Sequence, residues 1–248
     1  MTSLAWEGCV NVRDLGGLPT EDGRRTRLGG VVRSDNVRRL TDEGWRALAE
    51  HGVQRIVDLR FPEELAEDQP RDVDIDVVHV SVLGAANDPE YVKELDAHLA
   101  VNDIADHYAW SYVEFLERNR ARFGEAFAAI ADADAEGAVV VHCFAGKDRT
   151  GIVAALLLRL VGVDHATIGD DYAVTADNLR PRWDAWLEET KDEEQHAKLV
   201  KLQHTPAEAM TRVVQEIEHR YGDVATYLRA AGLSDEQVDR LRERLVAA

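Results

Sequence analysis

The apolar positions along the chain change spacing from segment to segment, and each spacing predicts an element. The first forty residues are dense in turn formers, as in "DLGGLPTEDGRRTRLGG", and predict loops with short strands such as "GVVRS". "LTDEGWRALAEHGV" predicts a helix with Thr41 as N-cap, acids in its first turn and Gly52 at its end. "VQRIVDLR" follows as a buried strand. Residues 73–82, "VDIDVVHVSV", alternate apolar and polar until Val77–Val78 break the phase, which predicts a bulged strand or two short ones. From about residue 89 to 132 the period is helical, with Ile104, Tyr108, Tyr112, Phe115 and Asn119 on one stripe. "AVVVH" at 138–142 is a continuous apolar run of the kind found in central parallel strands. The next helix, "TGIVAALLLRLVG", is apolar on nearly all sides and is expected in the core, with Gly162 as its stop. Ile168, Tyr172, Ala176 and Leu179 mark another helix. Thr205-Pro206-Ala207-Glu208 reads as a capping box opening a further one, and Ser234 to Gln237 opens the last. The order helix, glycine, strand predicts an α/β layer, and the C-terminal half is expected to be helical.

Composition narrows this picture. At 248 residues, 45% hydrophobic and 31% charged, the chain can bury one sizeable core. No linker, repeat or low-complexity tract divides it, so a single domain over 1–248 is expected. The start lacks a basic-then-apolar leader pattern, and no apolar run reaches about 18 residues, which together predict a soluble, cytoplasmic protein. A formal net charge of −18 argues against nucleic acid as a partner and against binding to an anionic membrane surface. The two cysteines, Cys9 and Cys143, are read as reduced thiols, and no Cys or His pair has zinc-type spacing. Neither a metal nor a cofactor is expected. Nothing in the sequence speaks to oligomeric state.

The densest chemistry lies at 142–151, "HCFAGKDRTG", between the apolar strand and the apolar helix. A strand that feeds a tight loop into a helix N-terminus leaves several backbone N–H groups unpaired, and these with the helix dipole make an anion site. A thiol at the rim of such a nest becomes acidic and nucleophilic. Arg149 adds a planar fork that grips two oxygens of a phosphate and binds a trigonal-bipyramidal transition state more tightly than the ground state. Gly146 lets the loop turn close to a ligand, and the Thr150 hydroxyl is placed to donate to the sulfur. An ATP-type phosphate loop is excluded because Val141 and Asp148 stand where that motif needs Gly and Ser or Thr.

"HCFAGKDRTG" resembles the HC-x5-R-[ST] signature of cysteine-dependent phosphatases. Together with "NVRDLGG" at 11–17, "VVRSD" at 31–35, "VDLR" at 57–60, "DDYAVTADNL" at 170–179 and "YLRAAGLSDEQVDRLRERL" at 227–245, it is similar to the atypical bacterial tyrosine-phosphatase family with dual protein and phosphoinositide specificity. The resemblance covers nearly the whole chain. It implies a cysteine-phosphatase fold, a central mostly parallel sheet flanked by helices, working without metal through a phosphocysteine intermediate. It makes Cys143 the nucleophile, Arg149 the phosphate clamp and the backbone of Phe144, Ala145, Gly146, Lys147, Asp148 and Arg149 the oxyanion cradle. Asp148 matches the family's in-loop general acid. Asp58 is the second candidate for that role, against a reading in which it braces Arg60 or Arg13. Arg13 with Asp14 reads as a structural ion pair that helps position the loops, and His142 as a scaffold that orders the catalytic loop.

Lys147 bears on the substrate. A second cation suits an inositol ring carrying several phosphates, whereas the acidity of the chain opposes a lipid surface, so phosphotyrosine protein is the first expectation and phosphoinositide or phosphoserine the second. A phosphoinositide-preferring enzyme and a non-catalytic phospho-ligand-binding module are the alternatives, and a sulfurtransferase or arsenate reductase is a more distant one. In "RPRWDAWLEETKDEEQHAKLVKLQHT", Trp183 and Trp186 face one way, either as core residues or as part of a helical lid over 180–204, as in the resembled family.

Overall fold

A computed structural model describes residues 2–66, 68, 73–82 and 88–246. Among these residues six strands form one sheet: β1 (Thr2–Ser3), β2 (Arg13–Asp14), β3 (Val31–Ser34), β4 (Val53–Asp58), β5 (Asp76–His79) and β6 (Ala138–His142). Their spatial order is β1-β2-β3-β6-β4-β5. β3, β6, β4 and β5 run parallel, and β2 and β1 continue the sheet antiparallel beyond β3. The apolar run 138–142 is thus the strand buried between β3 and β4, as its composition requires. The break in phase at Val77–Val78 does not produce a second strand among the described residues. It falls inside β5, an edge strand, where Val77 is exposed, and the sheet's irregularity lies instead between Val53 and Arg55 where β4 pairs with β6.

Helices cover both faces. Thr41 caps α1 (Asp42–Glu50) by accepting from the Gly44 amide, and Gly52 leaves it with φ +81. Through Trp45 and Leu48, α1 packs with Trp6, Val32, Ile56 and Val140 on one face of the sheet. The larger core lies on the other face. There Val57, Val139 and Val141 meet α4 (Ile104–Arg118), α5 (Arg120–Ala131), α6 (Asp148–Leu160), α9 (Ala207–Tyr221), α10 (Val224–Ala230) and α11 (Asp235–Leu245). α6 is buried almost all round, as its sequence requires. Short α2 (Pro62–Leu65) follows β4, and the helical stretch near 89–132 is three helices, α3 (Pro89–Val101), α4 and α5.

Two boundaries differ from expectation. α7 (His165–Glu189) runs ten residues past Leu179 and through Pro181 before α8 (Glu193–Leu202). The Thr205 capping box does not form, because Pro206 is the N-cap of α9 and the Thr205 hydroxyl is spent on α7, accepting from the Ala176 amide at 3.1 Å and donating to the Ala173 carbonyl at 3.0 Å. Ser234 opens α11 as expected, and there a capping box with Gln237 forms. No helix among the described residues is long and apolar enough to cross a membrane.

Candidate active site

Alternation along β6 sorts its side chains. Val139, Val141 and Cys143 face the larger core, while Val140 and His142 face the other side of the sheet. Asp58 is the register partner of His142 and lies on that same second side, away from Cys143. Cys143 is 2% exposed at the edge where the core meets the loop. Lys147 and Arg149 are its cationic neighbours on the loop.

The loop between Cys143 and α6 is held from outside by its carbonyls. His142 Nδ1 donates to the Cys143 carbonyl at 3.2 Å, and the Asn36 amide donates to the Phe144 carbonyl at 3.1 Å. Asn11 Nδ2 donates to Ala145 and Gly146 at 3.1 and 3.2 Å, Arg33 Nη2 to Gly146 at 2.7 Å, and the Gly151 amide to Lys147 at 2.9 Å. Four consecutive carbonyls, Cys143 to Gly146, therefore point outward to partners, and the Lys147 carbonyl takes the first intrahelical bond of α6. The amides of Phe144 to Arg149 bond no protein acceptor among the described residues and are left for an anion on the concave side. Gly146 makes the turn at φ +66, and a Cβ there would stand 2.4 Å from the Ser34 carbonyl oxygen.

These braces explain the two N-terminal motifs. Arg13 pairs with Asp171 of α7 at 3.1 Å rather than with Asp14, correcting the expected ion pair; Asp14 bonds His51 at 3.0 Å and the amides of Gly16 and Gly29. Arg13 also donates to Thr175 and to the Asn11 side-chain oxygen, which turns the Asn11 NH2 toward the loop. Arg33 forms a second, short pair with Asp171, so one buried carboxylate sits between two buried guanidinium groups. Burial opposes charge on Asp171, but Arg33 and Arg13 outweigh it and hold its pKa below the usual carboxylate range. Burial and the neighbouring Arg33 bring Arg13 down to about 10, which still leaves it cationic at neutral pH.

Arg149 is gripped by a residue that sequence reading missed. Glu64, in the first turn of α2, takes Nη1 at 2.6 Å and Nη2 at 2.8 Å, and also accepts from the Phe61 amide at 2.6 Å. The Phe61 ring lies 4.1 Å beneath the guanidinium. Nε has no acceptor among the described residues, so that edge of the fork is open to an oxyanion. Burial works against the Arg149 charge, but Cys143, Glu64 and Asp148 raise its pKa overall. A signal for Glu64 existed in "FPEEL", where a proline at the first helical position is followed by a carboxylate that can reach back to the N-cap amide.

Asp148 opens α6. Tyr112 of α4 makes a short hydrogen bond to its Oδ1, Lys147 Nζ stands 3.5 Å from the same oxygen, and Oδ2 has no partner among the described residues. Partial burial raises the Asp148 pKa, but Lys147, the Tyr112 hydroxyl and Arg149 outweigh it and hold the carboxyl below its usual range. Asp58 is fully committed elsewhere. Arg60 donates to it from the backbone at 3.0 Å and from the guanidinium at 2.8 to 3.2 Å, and His142 Nε2 lies 3.6 Å away. Of its two expected bracing partners, Arg60 is the one it has. His142 is fully enclosed, and burial keeps its pKa below the usual value, so at neutral pH it is a neutral donor to the loop.

Lys147 is not the solvent-exposed loop charge that a flexible cation would be. At 3% exposure it donates to Tyr108 and, at 2.6 Å, to the Leu202 carbonyl at the end of α8, with the Tyr108 and Trp183 rings 4.3 and 5.6 Å away. Burial lowers its pKa against the pull of Asp148. The Thr150 hydroxyl is fully buried with no hydrogen-bond partner among the described residues, so the expected bond to the sulfur is not made. Trp186 stacks on Phe144 of the loop at 6.1 Å, and Trp183 meets Trp186 edge-on at 4.9 Å.

Comparison with known proteins agrees with this geometry. The chain is 33% identical to a tyrosine-protein phosphatase of Nostoc commune, over 86% of this chain and 73% of that protein. It is 30% identical to the triple specificity protein phosphatase PtpB of Mycobacterium tuberculosis, over 95% of this chain and 96% of that one. Residues 4–247 match the tyrosine phosphatase family, and the chain belongs to that family.

Proposed function

We propose that the chain hydrolyses phosphotyrosine in proteins by two in-line displacements at Cys143. The outward bracing of four successive loop carbonyls carries this reading, because it turns the loop amides toward one anion beside the open edge of Arg149. In the first step the Cys143 thiolate forms a bond to phosphorus while the bond to the phenolic oxygen breaks, and Asp148 gives its proton to the departing oxygen. The free Asp148 is a carboxylate, and the arriving dianion raises its pKa so that it holds that proton. In the second step Asp148 takes a proton from water, which attacks the phosphocysteine and releases phosphate and the thiolate. Asp148 is preferred to Asp58 because Asp58 is enclosed by Arg60 on the other side of the sheet.

The triple specificity in the mycobacterial relative's name favours more than one substrate class, and a cation within the loop, Lys147, makes phosphoinositide the second. The segment 180–204 serves as a lid, since Trp186 covers Phe144 and Leu202 is tied to Lys147. The protein acts in the cytoplasm, and neither a metal nor a cofactor takes part in either step. The test is Cys143→Ser, assayed with chelator on phosphotyrosine, phosphoserine and phosphoinositide substrates. Turnover is expected to vanish while inorganic phosphate still binds; retained turnover refutes the mechanism.

A further inference from the structure

The aromatic stripe of α4 has a chemical edge that the mechanism above leaves unused. Tyr112 is buried, with its ring stacked on Tyr108 at 5.1 Å and edge-on to Tyr172 at 6.1 Å. Its hydroxyl lies between the Asp148 Oδ1 and the Tyr172 hydroxyl, the latter at 2.7 Å. A phenol has one proton. Burial and the Asp148 charge keep both phenols protonated, so Tyr112 donates to the carboxylate and Tyr172 donates to Tyr112. The chain Tyr172, Tyr112, Asp148 runs one way, from α7 through α4 to the first turn of α6.

We propose that Tyr112 is a positioning residue for the acid–base step, occupying Oδ1 of Asp148 so that the catalytic proton is carried on Oδ2 alone. The proposal rests on Asp148 being the general acid. The groups around that carboxylate are Lys147 and Arg149 on the loop, Tyr108 and Tyr112 on α4, and Tyr172 on α7. Lys147 shares Oδ1 with Tyr112, so every fixed partner is on the same oxygen and Oδ2 is the free one. A hydrogen bond that favours the carboxylate makes Asp148 a stronger acid toward a poor leaving group and steadies its base form for the second step.

The experiment compares wild type, Tyr112→Phe, Tyr172→Phe, Asp148→Asn and the Tyr112→Phe/Asp148→Asn double variant. It records pH profiles of kcat on aryl phosphates with good and poor leaving groups. Tyr112→Phe keeps both ring contacts and removes one oxygen. The alkaline limb of kcat is expected to move up by about one unit. kcat is expected to fall about tenfold for the poor leaving group and much less for the activated one. KM and inhibition by inorganic phosphate stay within about twofold, because the anion cradle is untouched. Tyr172→Phe gives a smaller shift in the same direction, and Tyr112→Phe has no further effect once Asp148 is Asn. An unmoved limb, or an equal loss with and without the Asp148 carboxyl, overturns the positioning role. If Asp148→Asn alone shows no dependence on leaving group, the acid assignment itself fails and the proposal falls with it, an outcome read without reference to Tyr112.

Discussion

Replacing Asp171 by Asn removes one negative charge from between Arg13 and Arg33, and the consequences can be worked out from burial alone. Both guanidinium groups are 1% exposed and the carboxylate 3%. Such a variant leaves two buried like charges facing each other without the carboxylate that both were paired to, a change that costs about 3–5 kcal/mol at buried pairs. At roughly 2–4 °C per kcal/mol for a chain of this size, Tm falls by roughly 6–20 °C. The pH dependence gives a second signature. The folded pKa of Asp171 lies below its unfolded value of about 3.9, so its contribution is fully present above that pH and is lost as pH falls through the folded value. Wild type should therefore lose stability in acid more steeply than Asp171→Asn. Because Arg33 also holds the Gly146 carbonyl, the variant should bind inorganic phosphate more weakly even where it is fully folded. Thermal melts from pH 3 to 8, with phosphate titrations at pH 7, measure all three. A Tm within about 3 °C of wild type, or parallel acid limbs, refutes the account of Asp171 as the charge that anchors the loop braces.

Gly146→Ala should abolish phosphate binding and turnover together, since the residue has φ +66 and a Cβ 2.4 Å from the Ser34 carbonyl; near-wild-type kinetics would show that the loop takes another path. The double variant Trp183→Ala/Trp186→Ala should let peroxide and iodoacetate reach Cys143 several-fold faster by uncovering Phe144. Lower stability with unchanged inactivation and kinetics would make the pair simple core packing.

The loop from Cys143 to Arg149 was legible in the sequence because its chemistry is local. Cys143 and Arg149 lie within one strand–turn–helix, and the hydrophobic runs on either side state which strand and which helix carry them. The N-terminal motifs were visible too, but the task of Asn11 and Arg33 was not, since their partners are loop carbonyls more than 110 residues away. Arg13 was paired with its neighbour Asp14 in the sequence and with Asp171 in the fold, because alternation along a short strand sends adjacent side chains to opposite faces. Glu64, Tyr112 and Tyr172 were missed as site residues for a related reason. A lone carboxylate in a first turn and tyrosines on a helical stripe look like capping and core until another element is laid against them.

The sequence by itself determined the family, through motifs spread from residue 11 to 245, and the α/β class, the buried strand and helix and the tight turn between them, which follow from local patterns of apolar spacing. Only tertiary structure decided which oxygen of Asp148 is free, what grips Arg149, where Lys147 points and which charges brace the loop. Each of those depends on hydrogen bonds that are directional and short, made between elements whose spacing along the chain carries no trace of their distance in space.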